Sequence, residues 1–328
     1  MRNLITDVPG LKVGNAEDLR LGSGTTALVF DESATASVDV RGGGPGTRET
    51  DLLDPERTVP GIDAIVLSGG SAFGLDAASG VQAWLREQGR GFAIGTMCVP
   101  IVSAAVLFDL LSAGDKNWGR FPPYRELGYA AASKAVLDFA LGSVGAGTGA
   151  TTVNFKGGLG SASAQTVDGA TVGALAAVNA VGSVVVGAGP WFWAAPFEID
   201  GEFGGRGLPD ALSPQILEPL MKGAVRESTT LVAVATDAIL TKAEAKRLAV
   251  MAQSGLARAI YPVHSPLDGD IVFAASTGRR PLGDPVRGLA RLGALAANVV
   301  ARAIARGVFA AHALPGDALP SWNERFGR

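Results

Sequence analysis

The sequence predicts a mixed α/β protein with a large buried core. Three observations support this prediction. Hydrophobic residues make up 47% of the 328 residues and charged residues only 18%, short apolar runs alternate with turn-forming residues in the first third, and longer segments carry apolar residues at helical spacing. The length allows two domains or one large α/β domain. The apolar composition excludes a disordered chain.

The first third of the chain predicts short strands followed by a helix. The strand-like runs, each bounded by turn residues, are Leu11 to Val13, Thr25 to Phe30, Ala36 to Val40 and Ala64 to Leu67. The segment SAFGLDAASGVQAWLR, residues 71–86, then brings apolar side chains near helical spacing. It predicts a helix that ends before Gly89.

The middle of the chain is rich in small residues. The run from Ile101 to Leu111 fits a strand or a helix, whereas the alanine-rich segment from Gly128 to Ala140 predicts a helix. After the glycine cluster VGAGTGATT, small-residue strands are expected from Thr166 to Val186. An aromatic, proline-rich loop without clear periodicity follows, as in a lid, an interface or a connector.

The last third predicts two strands and two helices. The run TTLVAVATD is a strand, and Thr241 with Glu244 three residues later forms a capping box for a helix to about Gly255. An apolar strand follows Asp270. The segment from Val286 to Arg306 carries leucine, valine and isoleucine on one side and predicts another helix.

Charge and metal-binding residues exclude several classes of protein. The net charge is −3 and no basic cluster is present, so a nucleic-acid partner is not expected. One cysteine, Cys98, and two distant histidines, His264 and His312, fit neither a disulfide scaffold nor a zinc site. We therefore expect no metal and no cofactor.

The sequence also predicts a cytoplasmic protein with no membrane partner. The N-terminus carries polar residues and a proline where a signal peptide needs an unbroken apolar run. The segment from Gly169 to Phe197 contains no charge, but its prolines and glycines favour buried strands over a membrane span.

Ser71 is the first candidate nucleophile. Its context GGSAFG lies between a predicted strand and a predicted helix, like the G-x-S-x-G elbow of serine hydrolases, although Phe73 stands at the final glycine position. Such an enzyme needs a histidine, and only His264 and His312 are available. Ser71 equally fits a helix cap among packing glycines.

A second route to a nucleophile is a free α-amine. A serine or threonine exposed as a new N-terminus has a nucleophilic oxygen and a base of near-neutral pKa on one residue. Ser228, Thr229 and Thr230 head a predicted buried strand after the long loop, as self-cleavage requires. Hydroxyl residues are also ordinary at the start of a strand.

Asp268 and Asp270 form a possible partner for such a nucleophile. They lie two residues apart before an apolar strand, so in extended backbone their carboxylates face the same side. Two adjacent carboxylates can orient an ammonium group or a hydroxyl and accept a proton. The same residues also fit a simple Asp-Gly turn.

Several motifs in order resemble one family, the self-processing amino-terminal hydrolases of peptidase family S58. This family includes the DmpA-type aminopeptidases, the β-peptidyl aminopeptidases and the nylon-oligomer endohydrolases. The resemblance covers nearly the whole chain. The motifs that carry it are ITDVPGLKVGN, VDVRGGGPGTRETDLL, IVLSGGSAFGLDAASGV, VGAGTGAT, VNAVG and TTLVAVATDA.

The resemblance implies an αββα sandwich in a single domain, residues 1–328, that cuts itself once. Aligning the family pattern on Ala235-Thr236-Asp237 selects Thr229 as the nucleophile, so the cut falls between Ser228 and Thr229. The fragments would be residues 1–228 and 229–328. Family members usually carry Asn or Gly before the cut, and Ser228 departs from that pattern.

Further site residues follow from the same resemblance. A threonine nucleophile with Asp268 and Asp270 matches the nylon-oligomer branch rather than the aminopeptidases, which carry serine and a Ser-x-Glu pair. The remaining family positions are an active-site lysine, an asparagine that holds the oxyanion, a substrate-binding tyrosine and a glycine of the glycine cluster. They fall on Lys156, Asn179, Tyr129 and Gly147, with Tyr124 competing for the tyrosine role.

The expected function is hydrolysis of linear amide bonds in small peptides, β-peptides or nylon-type oligoamides through an acyl-enzyme on Thr229. Three other possibilities are an acyltransferase on the same scaffold, a serine esterase using Ser71, and an inactive relative that binds amides. The resemblance also implies a homo-oligomer of processed protomers, with a tetramer as the expected state.

Overall fold

A computed structural model describes residues 1–212, 214–223 and 228–327. The strands are β1 (Leu11–Asp18), β2 (Ser23–Val40), β3 (Gly46–Arg48), β4 (Ile62–Ser68), β5 (Phe92–Ile94), β6 (Met97–Val99), β7 (Val102–Val106), β8 (Gly158–Gln165), β9 (Thr171–Asn179), β10 (Thr229–Ala238) and β11 (Ile271–Arg280). The α-helices are α1 (Ala77–Glu87), α2 (Tyr124–Ser133), α3 (Lys242–Ala259), α4 (Pro285–Phe309) and α5 (Trp322–Phe326).

The long strand β2 joins two halves of one hydrogen-bonded sheet. The strand order is β3-β7-β4-β2-β11-β10-β9-β8, with β1 also paired to β2. The first part of β2, residues 23–30, pairs with β1 and β4, whereas residues 35–40 pair with β11. The register shifts between Val29 and Ala34, so the two halves of the sheet separate there.

Alternating residues of β2 show that the two halves pack face to face. Leu28 and Phe30 belong to one buried cluster with Leu231 of β10 and Phe273 of β11. Ala27 and Val29 point to the other side, into a cluster with α1 and α2. Since successive side chains of a strand face opposite sides, the first half-sheet lies between helices and the second half-sheet.

The second half-sheet has the same arrangement on its outer side. Val232 and Val234 of β10 belong to a third buried cluster with Leu248 of α3 and Val300 of α4. The layers are therefore α1 and α2, the first half-sheet, the second half-sheet, and α3 and α4. The predicted αββα architecture is confirmed.

The N-terminal strand predictions are confirmed with changed boundaries. The runs Thr25 to Phe30 and Ala36 to Val40 are parts of the single strand β2. The predicted helix over 71–86 begins as a 3-10 helix, Ser71–Asp76, and continues as α1. The ambiguous run from Ile101 to Leu111 contains the strand β7.

Two predictions in the middle of the chain are wrong in part. The helix predicted over 128–140 is α2, which ends at Ser133 because Val136 then pairs with Val13 of β1 in both directions. The strands predicted from Thr166 to Val186 are β8 and β9, and β8 lies entirely before Thr166. Residues 180–186 make only isolated bridges, so the uncharged segment forms one regular strand.

The last third is predicted most accurately. Thr241 caps α3 with the expected capping box to Glu244, although the helix continues to Ala259. Helix α4 extends the predicted segment by a few residues at its C-terminal end. Among the described residues α4 alone is long and apolar enough to span a membrane, but 72% of its most apolar window is buried, as in a core helix.

Candidate active site

Thr229 opens the central strand of the second half-sheet. As the first residue of β10, it pairs with Asn179, the last residue of the antiparallel neighbour β9. On the other side, Ser228 forms a parallel bridge with Asp268, just before β11. This topology brings the predicted nucleophile, asparagine and aspartates together at one edge of the sheet.

The peptide bond between Ser228 and Thr229 is buried and firmly held. The Thr229 hydroxyl donates to the Ser228 carbonyl oxygen over 2.6 Å, and the Gly269 N–H donates to the same oxygen over 2.8 Å. A Cβ atom at Gly269 would lie 2.5 Å from the Thr229 Oγ1 atom, so only glycine permits this approach. The carbonyl oxygen therefore accepts from two donors, one of which is the Thr229 hydroxyl.

Asp268 and Asp270 accept hydrogen bonds from different parts of the site. Asp270 Oδ1 accepts from the Thr230 N–H over 2.8 Å. The two oxygens of Asp268 accept from the Ser265 and Val181 N–H groups over 2.9 and 3.3 Å. Burial, and then the negative charge of Asp270, raise the pKa of Asp268. A base whose pKa is raised towards neutrality accepts a proton more effectively.

His264 lies beside the aspartates, a contact that the sequence does not predict. Its Nδ1 atom lies 2.9 Å from Asp270 Oδ2, and its backbone N–H donates to the same oxygen over 3.2 Å. His264 has a φ of +56°, a conformation that costs energy in most residues. Its spacing of six residues from Asp270 gives no helical or strand periodicity that could have predicted this contact.

Asn179 has a fixed amide orientation. Its Oδ1 atom accepts from the Thr151 N–H over 3.0 Å and from the Lys222 ammonium over 3.3 Å. Its Nδ2 atom donates to the Phe108 carbonyl over 3.0 Å. An amide nitrogen carries two hydrogens, so one N–H bond remains after the bond to Phe108.

Lys156 is completely buried, and the carboxylate that it contacts is neither Asp268 nor Asp270. Its ammonium pairs with Asp317 over 2.8 Å and donates to the Thr148 carbonyl over 2.6 Å. The lysine that touches Asn179 is Lys222, in the segment that precedes the predicted cut. No motif marks Lys222, because it lies in an irregular segment.

The tyrosines and Gly147 occupy other environments. The Tyr129 hydroxyl donates to Glu87 at the exposed outer face of α1 and α2. Tyr124 is buried, and its hydroxyl donates to Ser23, which donates in turn to Asp109. The Gly147 N–H is bonded within its own turn to the Val144 carbonyl. The substrate-binding roles of Tyr129 and Gly147 stay predictions.

Ser71 has the backbone of a strained turn but lacks a described histidine partner. Its φ is +51°, and it lies between β4 and the helix that follows. Within the described residues, His264 bonds to Asp270, and the backbone of His312 bonds to Ser143. Neither histidine is therefore hydrogen-bonded to Ser71.

A cavity of about 200 Å³ is lined by the residues that hydrogen-bond to the Asn179 amide, but Asn179, Thr229 and the pair Asp268 and Asp270 do not themselves line it. Its walls include Phe108, Thr151 and Lys222, the three residues bonded to the Asn179 amide. Asp109 and Asp317 also face it, and burial raises the pKa of Asp109. The cavity has room for a group about as large as one amino-acid residue.

The chain is similar to known peptidases over almost its whole length. Residues 3–319 match the model of Peptidase family S58. An uncharacterized aminopeptidase of Mycobacterium tuberculosis is 42% identical, and the match covers 99% of this chain and 98% of that protein. A 6-aminohexanoate-oligomer endohydrolase of Kocuria sp. is 29% identical over 83% of this chain and 74% of its own length.

Solved structures share the fold. The l-aminopeptidase d-Ala-esterase/amidase from Ochrobactrum anthropi, described as a variant of the Ntn hydrolase fold, gives a TM-score of 0.73 at 21% identity, covering 100% of this chain and 95% of that chain. A Burkholderia sp. beta-aminopeptidase gives a TM-score of 0.70 at 22% identity, with coverage of 100% and 95%.

Proposed function

Because the chain belongs to peptidase family S58 and is a hydrolase of amide bonds, we propose that it is a self-processing N-terminal threonine amidohydrolase. Thr229 is the nucleophile in both the processing step and turnover. The observation that carries this proposal is the Thr229 hydroxyl 2.6 Å from the Ser228 carbonyl oxygen, in a peptide bond whose oxygen also accepts from Gly269.

In the processing step, the Thr229 oxygen attacks the Ser228 carbonyl carbon. The new C–O bond replaces the C–N bond, and the hydroxyl proton moves to the released nitrogen, so that an ester remains. The Gly269 N–H, already 2.8 Å from the carbonyl oxygen, stabilises the negative charge that develops there. Water then hydrolyses the ester to a Ser228 carboxylate and restores the Thr229 hydroxyl, beside the α-amine that the shift has already released.

In turnover, the same hydroxyl attacks the amide carbonyl of a substrate. The free Thr229 amine, or the pair Asp268 and Asp270, takes the hydroxyl proton and returns a proton to the leaving amine. The uncommitted N–H bond of Asn179 donates to the oxyanion, a contribution typically worth about 3 to 4 kcal/mol. Water releases the acyl group from Thr229.

We propose linear amides as substrates: small peptides, β-peptides or nylon-type oligoamides. The mycobacterial relative, named an aminopeptidase, supports small peptides. The Kocuria relative, named a 6-aminohexanoate-oligomer endohydrolase, supports nylon-type oligoamides. The cavity lined by Phe108, Thr151 and Lys222 has room for a unit of about one residue. The active form is a homo-oligomer of processed protomers, with a tetramer expected. The exposed apolar side chains Ile94 and Met97 support an interface.

Intact-mass spectrometry under denaturing conditions tests the nucleophile. We expect the wild type to give fragments 1–228 and 229–328. Thr229→Val should give one uncut, inactive chain, because it replaces the attacking oxygen with a methyl group. Thr229→Ser should still cut.

Thr230→Val is the matched control, because it makes the same substitution one residue away on a buried hydroxyl. Among the described residues the Thr230 hydroxyl has no hydrogen-bond partner, so this variant should cut normally. A cut in Thr229→Val would overturn the assignment. An uncut Thr230→Val would show that the loss of cutting is not specific to the Thr229 hydroxyl, and would overturn it as well. Amide cleavage that requires an added amine as acyl acceptor would instead indicate an acyltransferase.

A further inference from the structure

We propose that Lys222 is a positioning residue for the oxyanion-binding amide of Asn179 during turnover. This inference rests on the proposed function, since it assigns a role within that reaction. Lys222 belongs to the segment before the cut, so the larger fragment would supply it to a site whose nucleophile lies on the smaller fragment.

The side chain of Lys222 is built into the site. Only 8% of the residue is exposed. Its ammonium donates to the Thr151 carbonyl over 2.8 Å and to Asn179 Oδ1 over 3.3 Å. Burying a charge without partners costs free energy, so these acceptors hold the buried ammonium in place.

These contacts determine which way the Asn179 amide faces. In the observed orientation, Oδ1 meets two donors, the Thr151 N–H and the Lys222 ammonium, while Nδ2 meets the Phe108 carbonyl. A flipped amide would place its NH₂ group against two donors and its oxygen against a carbonyl. Every one of these contacts would then be repulsive, so the environment fixes the direction of the second Nδ2–H bond.

The ammonium also strengthens the donor. The positively charged ammonium that donates to Oδ1 polarises the amide and makes its N–H bonds better hydrogen-bond donors. Lys156 cannot supply this effect by direct contact, because its ammonium is bonded to Asp317 and Thr148. Among the described residues, Lys222 is thus the lysine whose side chain reaches Asn179.

Two hydrogen-bond attachments hold Lys222 in place after the cut. It lies six residues before Ser228, and its backbone N–H donates to the Val181 carbonyl over 3.1 Å. The segment therefore keeps both a main-chain and a side-chain attachment that do not pass through the cleaved bond.

Processing and turnover should respond differently to loss of Lys222. The oxygen that becomes negative in processing belongs to Ser228 and is held by Gly269, whereas Asn179 serves the substrate oxyanion. A residue that acts through Asn179 affects turnover and spares the cut. A residue needed only for folding affects both.

The test compares Lys222→Met and Lys222→Arg with Lys242→Met. Lys242 is a matched control, because its ammonium also donates to backbone carbonyls, those of Leu52, Arg57 and Val59, away from Asn179. Cleavage is followed by intact mass during cell-free synthesis, and turnover of an aminoacyl p-nitroanilide is measured per processed site.

We expect Lys222→Met to cut within about threefold of the wild-type rate and to lose about 10- to 100-fold in kcat with little change in KM. Lys222→Arg should recover at least part of kcat, and Lys242→Met should keep it. In the Asn179→Ala background, Lys222→Met should cost nothing further, because the group it positions is absent.

The inference is overturned by an unchanged kcat in Lys222→Met, by an equal loss of cutting and turnover, or by a full additional loss in the Asn179→Ala background. If Lys222→Met does not fold, Lys222→Gln and Lys222→Arg carry the same comparison. An uncut wild type, or Thr229→Val that still hydrolyses the substrate, would contradict the proposed function instead.

Discussion

Where the pair Asp268 and Asp270 is the base of turnover, the carboxyl group of Asp268 sets the pH dependence that we expect. Burial contributes most to its raised pKa, and the negative charge of Asp270 contributes next. A carboxylate that accepts a proton must be ionised, so activity falls as the pH falls through this raised pKa. The loss should therefore begin at a higher pH than the ordinary aspartate value of about 3.9 would give.

Asp270→Asn tests this cause directly. Removing the neighbouring charge should lower the pKa of Asp268 and move the acid limb of the kcat profile to lower pH. The maximal kcat should also fall, because Asp270 holds the Thr230 N–H and His264. Asp168→Asn, in an exposed ion pair with Arg291, is the control and should leave the profile unchanged. An acid limb that stays in place in Asp270→Asn would rule out this coupling.

At the residue scale, the sequence predicts groups that lie at strand ends and misses groups in irregular segments. Thr229 and Asp270 each stand next to a strongly apolar strand, so their neighbourhood follows from sheet pairing. His264 and Lys222 reach the site from segments without periodicity, and no pattern in the sequence gives their direction. The chemistry around a nucleophile thus depends on loops that only tertiary structure orients.

At the element scale, the packing of β8 against α4 explains why a glycine-rich strand forms. The sequence GLGSASAQ has little β-propensity, and the predicted strands therefore begin after it. In the structure, a Cβ at Gly160 would lie 1.9 Å from the Ala303 carbonyl oxygen of α4. Small residues allow the helix backbone to lie directly on the strand, so packing overrides propensity here.

Gly160→Ala should separate α4 from β8. The added methyl group has backbone atoms of Ala303 and Gly307 as neighbours, which cannot rotate away, so we expect a loss of about 3 kcal/mol in the free energy of unfolding. Urea denaturation in the uncut Thr229→Val background measures it. Gly223→Ala is the control, because a Cβ there meets no atom of the described residues within 4 Å. Equal stabilities for the two variants would contradict this account of the packing.

At the scale of the whole molecule, strand alternation separates three cores that composition alone cannot distinguish. The same apolar content fits two domains or one, but β2 sends Phe30 into the central core and Val29 into the outer core under α1 and α2. The resemblance supplies the αββα order that periodicity leaves open. The order of strands in the sheet differs from their order in the sequence, because β2 pairs with β1 and β4 near the N-terminus and with β11 near the C-terminus.

The hairpin of β5 and β6 lies on the surface and contributes no side chain to these three cores. Ile94 pairs with Met97 and Phe92 with Val99, so these four apolar side chains share one face, and they are 40–61% exposed. None of residues 92–99 is charged. Natural proteins rarely leave an uncharged apolar edge uncovered, because it pairs with other chains.

If the processed protomers associate through this hairpin, Ile94→Asp with Met97→Asp should break the assembly. Two charges per protomer placed in an apolar contact remain desolvated and unpaired, so the mass from light scattering after size-exclusion chromatography should fall towards one processed protomer. Val167→Asp, at a residue 90% exposed in the turn between β8 and β9, is the control and should keep the wild-type mass. An unchanged mass in the double variant would place the interface elsewhere, and a monomeric wild type would contradict the proposed oligomer itself.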